Sequence, residues 1–358
     1  HERYAKQEVP KKTGGHRIVY DPATPVRKVQ HRINKRIFKA LISWPDYLYG
    51  SLPNELIKYG SEDVLVRRDY IACAQRHCKA KSLVKFDIEN FFENIHRDVV
   101  KDIFVNFFKY PEPVSEILTE VTCYGDHLIQ GALTSSYLAL LCLWDVEHTL
   151  VKKLNRRNLV YTRLVDDITI SSKIWKQDFR NSIENLRDIL LDKDLPLNDS
   201  KAQTLRAGTE PLIIHGLRVD FDQPRLPSNE ISKIRAGVHK AIKMARMNNF
   251  RTSNAYRKLF DRSIGRVNKL ARVGHNKHKK LLTPLLRYKP LPSRADINKA
   301  KKSISQLKAR YATQQNTKDY KRKHALTVYR IGIIGRTYPR EQELLLNEIR
   351  LLKSDFIE

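Results

Sequence analysis

Three observations predict a mixed α/β chain. Short β-prone runs at Ser82–Ile88, Leu159–Ser171 and Leu212–Val219 are separated by segments whose apolar residues recur at helical spacing. Beyond about residue 222 the strand signals fade and basic helical segments take over. Hydrophobic residues make up 41% of the 358, enough for a large core and two or three subdomains and too many for a disordered chain.

In chain order, residues 1–30 are basic and contain a turn at Thr13-Gly14-Gly15, flanked by Lys11, Lys12 and Arg17. Val26, Val29, Ile33 and Ile37 predict a helix over Val26–Ala40. Ser82–Ile88 reads as a strand, followed by a helical pattern of Val99, Val100, Ile103, Phe104 and Phe107. Ser135 or Ser136 can cap a helix that runs through Leu150. Leu159–Ser171 reads as a hairpin, Asn181–Leu191 as a helix, and Leu212–Val219 as a strand with Gly216 inside it. Pro290-Leu291-Pro292-Ser293 looks like a linker. After it, Ile297, Ala300, Ile304, Leu307 and Tyr311 form the narrow seam of an amphipathic helix. Gln314–Asp319 is a polar break, and a last helix carries Leu344, Leu345, Ile349 and Leu352.

The formal net charge is +28, from 67 Lys and Arg against 39 Asp and Glu. A field of that sign attracts polyanions, and nucleic acid is the leading partner. Cys73, Cys78, Cys123 and Cys142 are few and irregularly spaced, as expected of reduced thiols. Cys73, His77 and Cys78 lack the second ligand pair of a zinc site. The longest apolar run, Tyr137–Trp144, is far short of a bilayer span, so no membrane association is expected. The N-terminus has no signal-type apolar core. The first residue is His1, so the natural start is expected to lie upstream.

Three motifs carry candidate chemistry. Val84-Lys85-Phe86-Asp87-Ile88-Glu89-Asn90-Phe91-Phe92 ends a buried-looking strand in a carboxylate. Ile129-Gln130-Gly131-Ala132-Leu133-Thr134-Ser135-Ser136 has a glycine that lets the backbone approach a template or nucleotide closely, and an amide at Gln130. Tyr161-Thr162-Arg163-Leu164-Val165-Asp166-Asp167-Ile168-Thr169-Ile170 holds paired acids at a hairpin tip, 79 residues after Asp87. Three such carboxylates suit a hard cation that keeps waters and binds substrate phosphates. Each motif alone also fits a plainer role, as a helix cap, a capped loop or a solvated turn.

Taken in order, the three motifs resemble the catalytic blocks of reverse transcriptases of the bacterial retron type, whose relatives include group II intron and antiphage-defence enzymes. The resemblance covers roughly residues 10–285. It implies a right-hand α/β polymerase, with fingers at 1–81 and 97–130, palm at 82–96 and 131–222, thumb at 223–288 and a helical C-terminal extension at 289–358. It implies that Asp87, Asp166, Asp167 and the Ile88 carbonyl hold two Mg²⁺, with Mn²⁺ as a substitute. Lys12 and Arg17, beside the Gly14-Gly15 turn, look like the hairpin that holds the triphosphate; an exposed basic hairpin is the plainer alternative. Phe92 matches the steric gate that screens the sugar, although Phe91 and Phe92 also suit a core, and Gln130 touches nucleotide or template.

Further along, Leu195-Pro196-Leu197-Asn198-Asp199-Ser200-Lys201 is similar to a block whose lysine approaches the leaving pyrophosphate as an acid; a solvated surface lysine is the plainer alternative. Ile213-Ile214-His215-Gly216-Leu217 resembles the primer grip, with His215 where threonine is usual and best read as a buried, hydrogen-bonded histidine. Ile231–Ile242 and Gly265–Leu282 look like the thumb, where Lys269, Arg272, His275, Lys277, Lys279 and Lys280 on a helix would grip duplex phosphates; a plain solvated face is the alternative. Two places depart from the family. Leu164-Val165 stands where an aromatic followed by Ala or Val is usual, and Leu133 and Ser136 stand where prolines are.

The expected activity is synthesis of DNA on a dedicated structured RNA from dNTPs, in the bacterial cytoplasm. An effector protein or a second copy could dock on the extension. A polymerase-shaped RNA-binding scaffold or maturase without synthesis, and an enzyme making untemplated or repetitive DNA in phage defence, remain the alternatives.

Overall fold

The computed structural model describes residues 3–10, 14–59, 62–354 and 356. They form two compact units, residues 1–225 and 226–358.

The first unit opens with an antiparallel hairpin, β1 (Tyr4–Pro10) and β2 (His16–Pro22). Helix α1 (Thr24–Ile33) follows and continues as a π-helical turn, Asn34–Phe38. Next come β3 (Leu48–Tyr49), a second hairpin of β4 (Glu55–Tyr59) and β5 (Glu62–Val66), α2 (Tyr70–Arg76) and β6 (Ser82–Asp87). Helices α3 (Phe91–Asn94), α4 (Arg97–Asp102) and α5 (Glu112–Thr122) precede the short pair β7 (Cys123–Tyr124) and β8 (His127–Leu128). Helices α6 (Ser135–Leu141) and α7 (Glu147–Arg156) lead into the hairpin of β9 (Val160–Leu164) and β10 (Asp167–Ser172). The unit ends with α8 (Arg180–Leu191), β11 (Gln203–Arg206) and the hairpin of β12 (Ile213–Ile214) and β13 (Leu217–Arg218).

The central sheet has the order β11-β6-β10-β9-β3, antiparallel except for β9 with β3. Strand side chains alternate between faces. The register therefore puts Val84, Phe86, Ile168, Ile170 and Tyr161 on one face, all buried in the main core with Leu138, Leu150, Leu154 and Leu186 of the helices. Lys85, Asp87, Asp167, Thr169, Ser171 and Thr162 share the opposite, polar face.

Several elements differ from the sequence expectation. The predicted helix over 26–40 starts at Thr24 and buries Arg27, Gln30 and Ile33, while Val29 is 42% exposed. Polar partners outweigh apolar content there. Gln30 donates to Tyr4 Oη (2.7 Å) and accepts from Leu133 N (3.1 Å), and Arg27 pairs with Asp21. The predicted helix through Leu150 is two helices broken over 142–146, and Thr134 is the residue ahead of the first, with no side-chain cap. The run Leu212–Val219 is no single strand. His215 and Gly216 both have positive φ, +48° and +79°, and fold it into the tight β12–β13 hairpin.

The second unit is helical: α9 (Ser228–Ala245), α10 (Asn254–Arg272), α11 (Lys277–Leu286), α12 (Arg294–Gln314), α13 (Lys318–Ile334) and α14 (Pro339–Arg350). The expected helix Gly265–Leu282 is broken by Gly274 at φ +62°, so Lys269 and Arg272 lie on α10, His275 in the turn, and Lys277, Lys279 and Lys280 on α11. Helix α13 lies between the polar break and the last expected helix, where the sequence reading places no element. Its Tyr320, Ile331 and Ile334 close a cluster with the expected seam residues Ala300, Ile304 and Leu307 and with Leu345 and Ile349. The Pro290–Ser293 stretch is held rather than loose. Leu291 N donates to Arg251 O (2.9 Å), Arg336 donates to Pro290 O (2.7 Å), and Ser293 and Asp296 form a capping box. No described helix is long and apolar enough to cross a membrane.

Candidate active site

The β9–β10 register sets Asp167 directly opposite both Asp87 at the end of β6 and Leu164 at the end of β9. Asp166 sits in the turn between them. Ligand oxygens of Asp87, Asp166 and Asp167 all lie within 4.8 Å of one another. Among the described residues this is the one group of three or more His, Cys, Asp or Glu side chains close enough to share an ion. The backbone braces it: Ile88 N donates to Asp166 O (3.2 Å), and Asn198 N donates to Asp87 O (2.8 Å).

The turn itself is strained. Val165 has φ +62°, where a β-branched side chain is unfavourable, at a cost of about 1–3 kcal/mol. Gly50 makes room for it, since a Cβ there would lie 2.7 Å from Val165 Cγ2.

Crowding of carboxylates shows in their electrostatics. Burial first, then Asp166 and Asp87, pushes Asp167 up to about 6, and burial and Asp87 also raise Asp166. Half of the Asp167 side chain (51%) faces water, which screens part of this effect. Lys201 Nζ stands 2.5 Å from Asp87 Oδ2, and that hydrogen bond raises its own pKa, keeping it charged. Three clustered acids with one lysine suit a divalent cation with carboxylate and water ligands.

A pH dependence follows. A carboxyl raised in the folded state favours the protonated form. Its destabilisation is therefore absent below the unfolded value and grows as pH rises from about 4 through 6. Without divalent ions, Asp167→Asn should melt higher than the parent at about pH 7 and no differently near pH 4. Added Mg²⁺ should stabilise the parent and not the variant. Differential scanning fluorimetry across that range checks both, and an equal gap at every pH would contradict them.

A cleft of ≈ 390 Å³ beside the triad is lined by Lys85, Asp87, Asp167, Thr169, Lys201 and His215. Lys85 escaped sequence reasoning, although its place two residues before Asp87 on one strand face was a legible signal. Its Nζ donates to Ile213 O (3.2 Å), and burial lowers its pKa. His215 Nδ1 lies 3.7 Å from Asp167 Oδ2 and Nε2 3.5 Å from Cys73 Sγ, and burial lowers its pKa to about 4, so the ring is neutral near pH 7. Gly216 completes the tip of that hairpin and Leu217 is buried behind it. Cys73 and His77 belong to a polar layer under the same face: both bond Thr162 Oγ1 (3.2 and 2.8 Å), and His77 Nδ1 is 2.7 Å from Ser171 Oγ.

Phe91 is buried in the core, while Phe92 is half-buried at its margin, its ring 5.8 Å from that of Phe91. Arg17 is exposed on β2, on a hairpin separate from the triad's sheet. Lys12 lies outside the described residues. The glycine expectation needs correction: Gly131 (φ +114°) opposes protein backbone, since a Cβ there would lie 2.4 Å from Tyr20 O, and Tyr20 N donates to Gln130 O (2.8 Å). The motif thus seats the β1–β2 hairpin. Lys269, Arg272, Lys279 and Lys280 are exposed on the second unit, and His275 Nδ1 accepts from Lys277 N (3.0 Å).

Comparison with known proteins adds to this geometry. A family profile described as reverse transcriptase (RNA-dependent DNA polymerase) matches residues 9–241. The chain is 44% identical over 98% of its length to the Retron Ec48 reverse transcriptase of Escherichia coli, covering 85% of that protein. It is 29% identical over 95% of its length to the Retron Se72 reverse transcriptase of Salmonella heidelberg (strain 579083-10), covering 86% of it. Among solved structures, a telomerase from Candida tropicalis in complex with a telomeric RNA fragment aligns with a TM-score of 0.48 at 11% identity, over 98% of this chain and 61% of that one.

Proposed function

The chain belongs to the reverse transcriptase family, in its retron branch, and is an RNA-directed DNA polymerase of right-hand architecture that depends on divalent metal and an RNA template; from this we propose how its own residues perform the reaction. The observation that carries the proposal is the meeting of Asp87, Asp166 and Asp167 at the end of the polar sheet face.

In this reading, Asp87, Asp166, Asp167 and the Ile88 carbonyl would hold two Mg²⁺, which lower the pKa of the attacking hydroxyl and stabilise the departing pyrophosphate. Mn²⁺ would substitute. Lys201, protonated beside Asp87, would give a proton or its charge to the leaving group. His215, neutral and seated at the tight hairpin tip 3.7 Å from Asp167, would line the primer end with Gly216 and Leu217. Arg17, on a hairpin seated on Gln130-Gly131, takes the triphosphate of the incoming dNTP.

Phe92 is assigned to the sugar and Phe91 to the core. Phe92→Ala should raise ribonucleotide use relative to deoxynucleotide about 10- to 100-fold with little loss of stability. Phe91→Ala should instead cost about 3–5 kcal/mol. Competitive incorporation assays and melting curves on the two variants check the split, and the reverse pattern would exchange the roles.

Residues 226–358 carry 32 Lys and Arg against 9 Asp and Glu, so 23 of the 28 net charges lie in the helical unit. We assign RNA binding chiefly there, including Lys269, Arg272, His275, Lys277, Lys279 and Lys280, with the steep salt dependence that phosphate contacts give. The template is a dedicated structured RNA of the bacterial cytoplasm.

The test is dNTP incorporation by the purified protein with its co-purified RNA, followed by sequencing of both nucleic acids. Mg²⁺-dependent DNA complementary to that RNA is expected. No DNA, or DNA unrelated to the RNA, would overturn the reading.

A further inference from the structure

Among the described residues Arg163 is the largest fully buried side chain, and it lies two residues before the strained turn. Its charge is matched by Glu147, which is also buried: Nε stands 2.6 Å from Oε1 and Nη2 2.7 Å from Oε2. Tyr161 Oη donates to the same carboxylate (2.7 Å). The remaining N–H groups reach main-chain carbonyls. Nη2 donates to Leu140 O (2.8 Å), and Nη1 donates to Ala139 O (3.2 Å) and Val165 O (3.1 Å). A guanidinium has five N–H donors in a rigid fork, and here all five are used. Ala139 and Leu140 sit in the last turn of α6, where carbonyls lack helical partners and a cation is favoured.

We propose that Arg163 is a positioning residue: it ties the end of α6 and Glu147 to the Val165 carbonyl and so holds the Val165–Asp166 turn in the one shape that presents Asp166 beside Asp87. A β-branched residue keeps a left-handed backbone only where its surroundings over-determine it. Arg163 grips the carbonyl of Val165, Gly50 accommodates its side chain, and Ile88 N holds the next carbonyl. A lysine cannot replace the fork, because its donors radiate from one point. The proposal rests on the reading of Asp166 as a catalytic ligand.

Steady-state primer extension on the protein with its co-purified RNA tests it, with Arg163→Lys, Arg163→Lys/Val165→Gly and a control, Asp166→Asn. Arg163→Lys keeps a positive charge beside Glu147 but loses the grip on Val165. Its kcat should fall about a hundredfold, while KM for dNTP and RNA affinity change less than about threefold. Glycine adopts the left-handed backbone without strain, so adding Val165→Gly to Arg163→Lys should restore kcat about tenfold. If the double variant fails to fold, the lysine variant decides. A folded Arg163→Lys enzyme with parental kcat, or no recovery on adding Val165→Gly, would overturn the proposal. Full extension by Asp166→Asn would overturn the assignment of the acids instead.

Discussion

Asp166→Asn, Asp167→Asn and Asp87→Asn are each expected to cut dNTP incorporation by at least about a thousandfold while leaving RNA affinity within about twofold. The physical reason is the closeness of the three carboxylates, all within 4.8 Å at their ligand atoms. An amide keeps the shape of the side chain and removes the charge that holds a divalent ion. RNA affinity should hold because most of the positive field lies in residues 226–358. Loss of Asp87 also frees Lys201 from its 2.5 Å partner, which supplies an internal check: its raised pKa should fall back towards that of a free lysine. Primer extension and filter binding on the same preparations measure both quantities. Parallel losses of extension and RNA binding would point to unfolding rather than chemistry.

Gly131→Ala is expected to be the most damaging substitution in the glutamine motif, at about 2–4 kcal/mol. Its backbone, at φ +114°, is one that L side chains rarely adopt. The added methyl would also meet Tyr20 O at 2.4 Å and Val19 Cγ1 at 2.8 Å. Relief requires the β1–β2 hairpin to lift, breaking the Tyr20 N to Gln130 O hydrogen bond. Melting temperature should fall by about 5–15 °C, and the Tyr20 amide should lose protection in hydrogen exchange. KM for dNTP should rise with it, since Arg17 rides on the same hairpin. Unchanged melting and unchanged Tyr20 protection would contradict this account of the glycine.

The residues of the triad were legible because three motifs with local strand and hairpin signals follow one another in order, although each alone also fits a plainer role. The strand ending at Asp87 and the hairpin around Asp166-Asp167 are marked by β-prone runs on either side of polar tips. Neighbours that meet only through the fold were invisible. Arg163 and Glu147 pair across 16 residues with no periodic signature, and His215 reaches Asp167 only because a two-residue turn reverses the chain. The break between α6 and α7 falls in an apolar stretch with no glycine or proline to mark it. The break after α10 carried a local signal, Lys269 and Arg272 in the last turn with Gly274 just beyond, yet a single helix over Gly265–Leu282 was expected across it. Helix α1 misled because polar Gln30 and Arg27, satisfied by partners far away in sequence or across a turn, displaced Val29 from the buried face.

The central claim is that Asp87, Asp166 and Asp167 together hold the catalytic metal. Titration of Mn²⁺ into the protein with its RNA, followed by electron paramagnetic resonance, tests it most directly. The account predicts a tightly held, exchange-coupled Mn²⁺ pair in the parent when dNTP and primer are present, and loss of that signal in Asp166→Asn/Asp167→Asn. An unchanged Mn²⁺ signal in the double variant would contradict it.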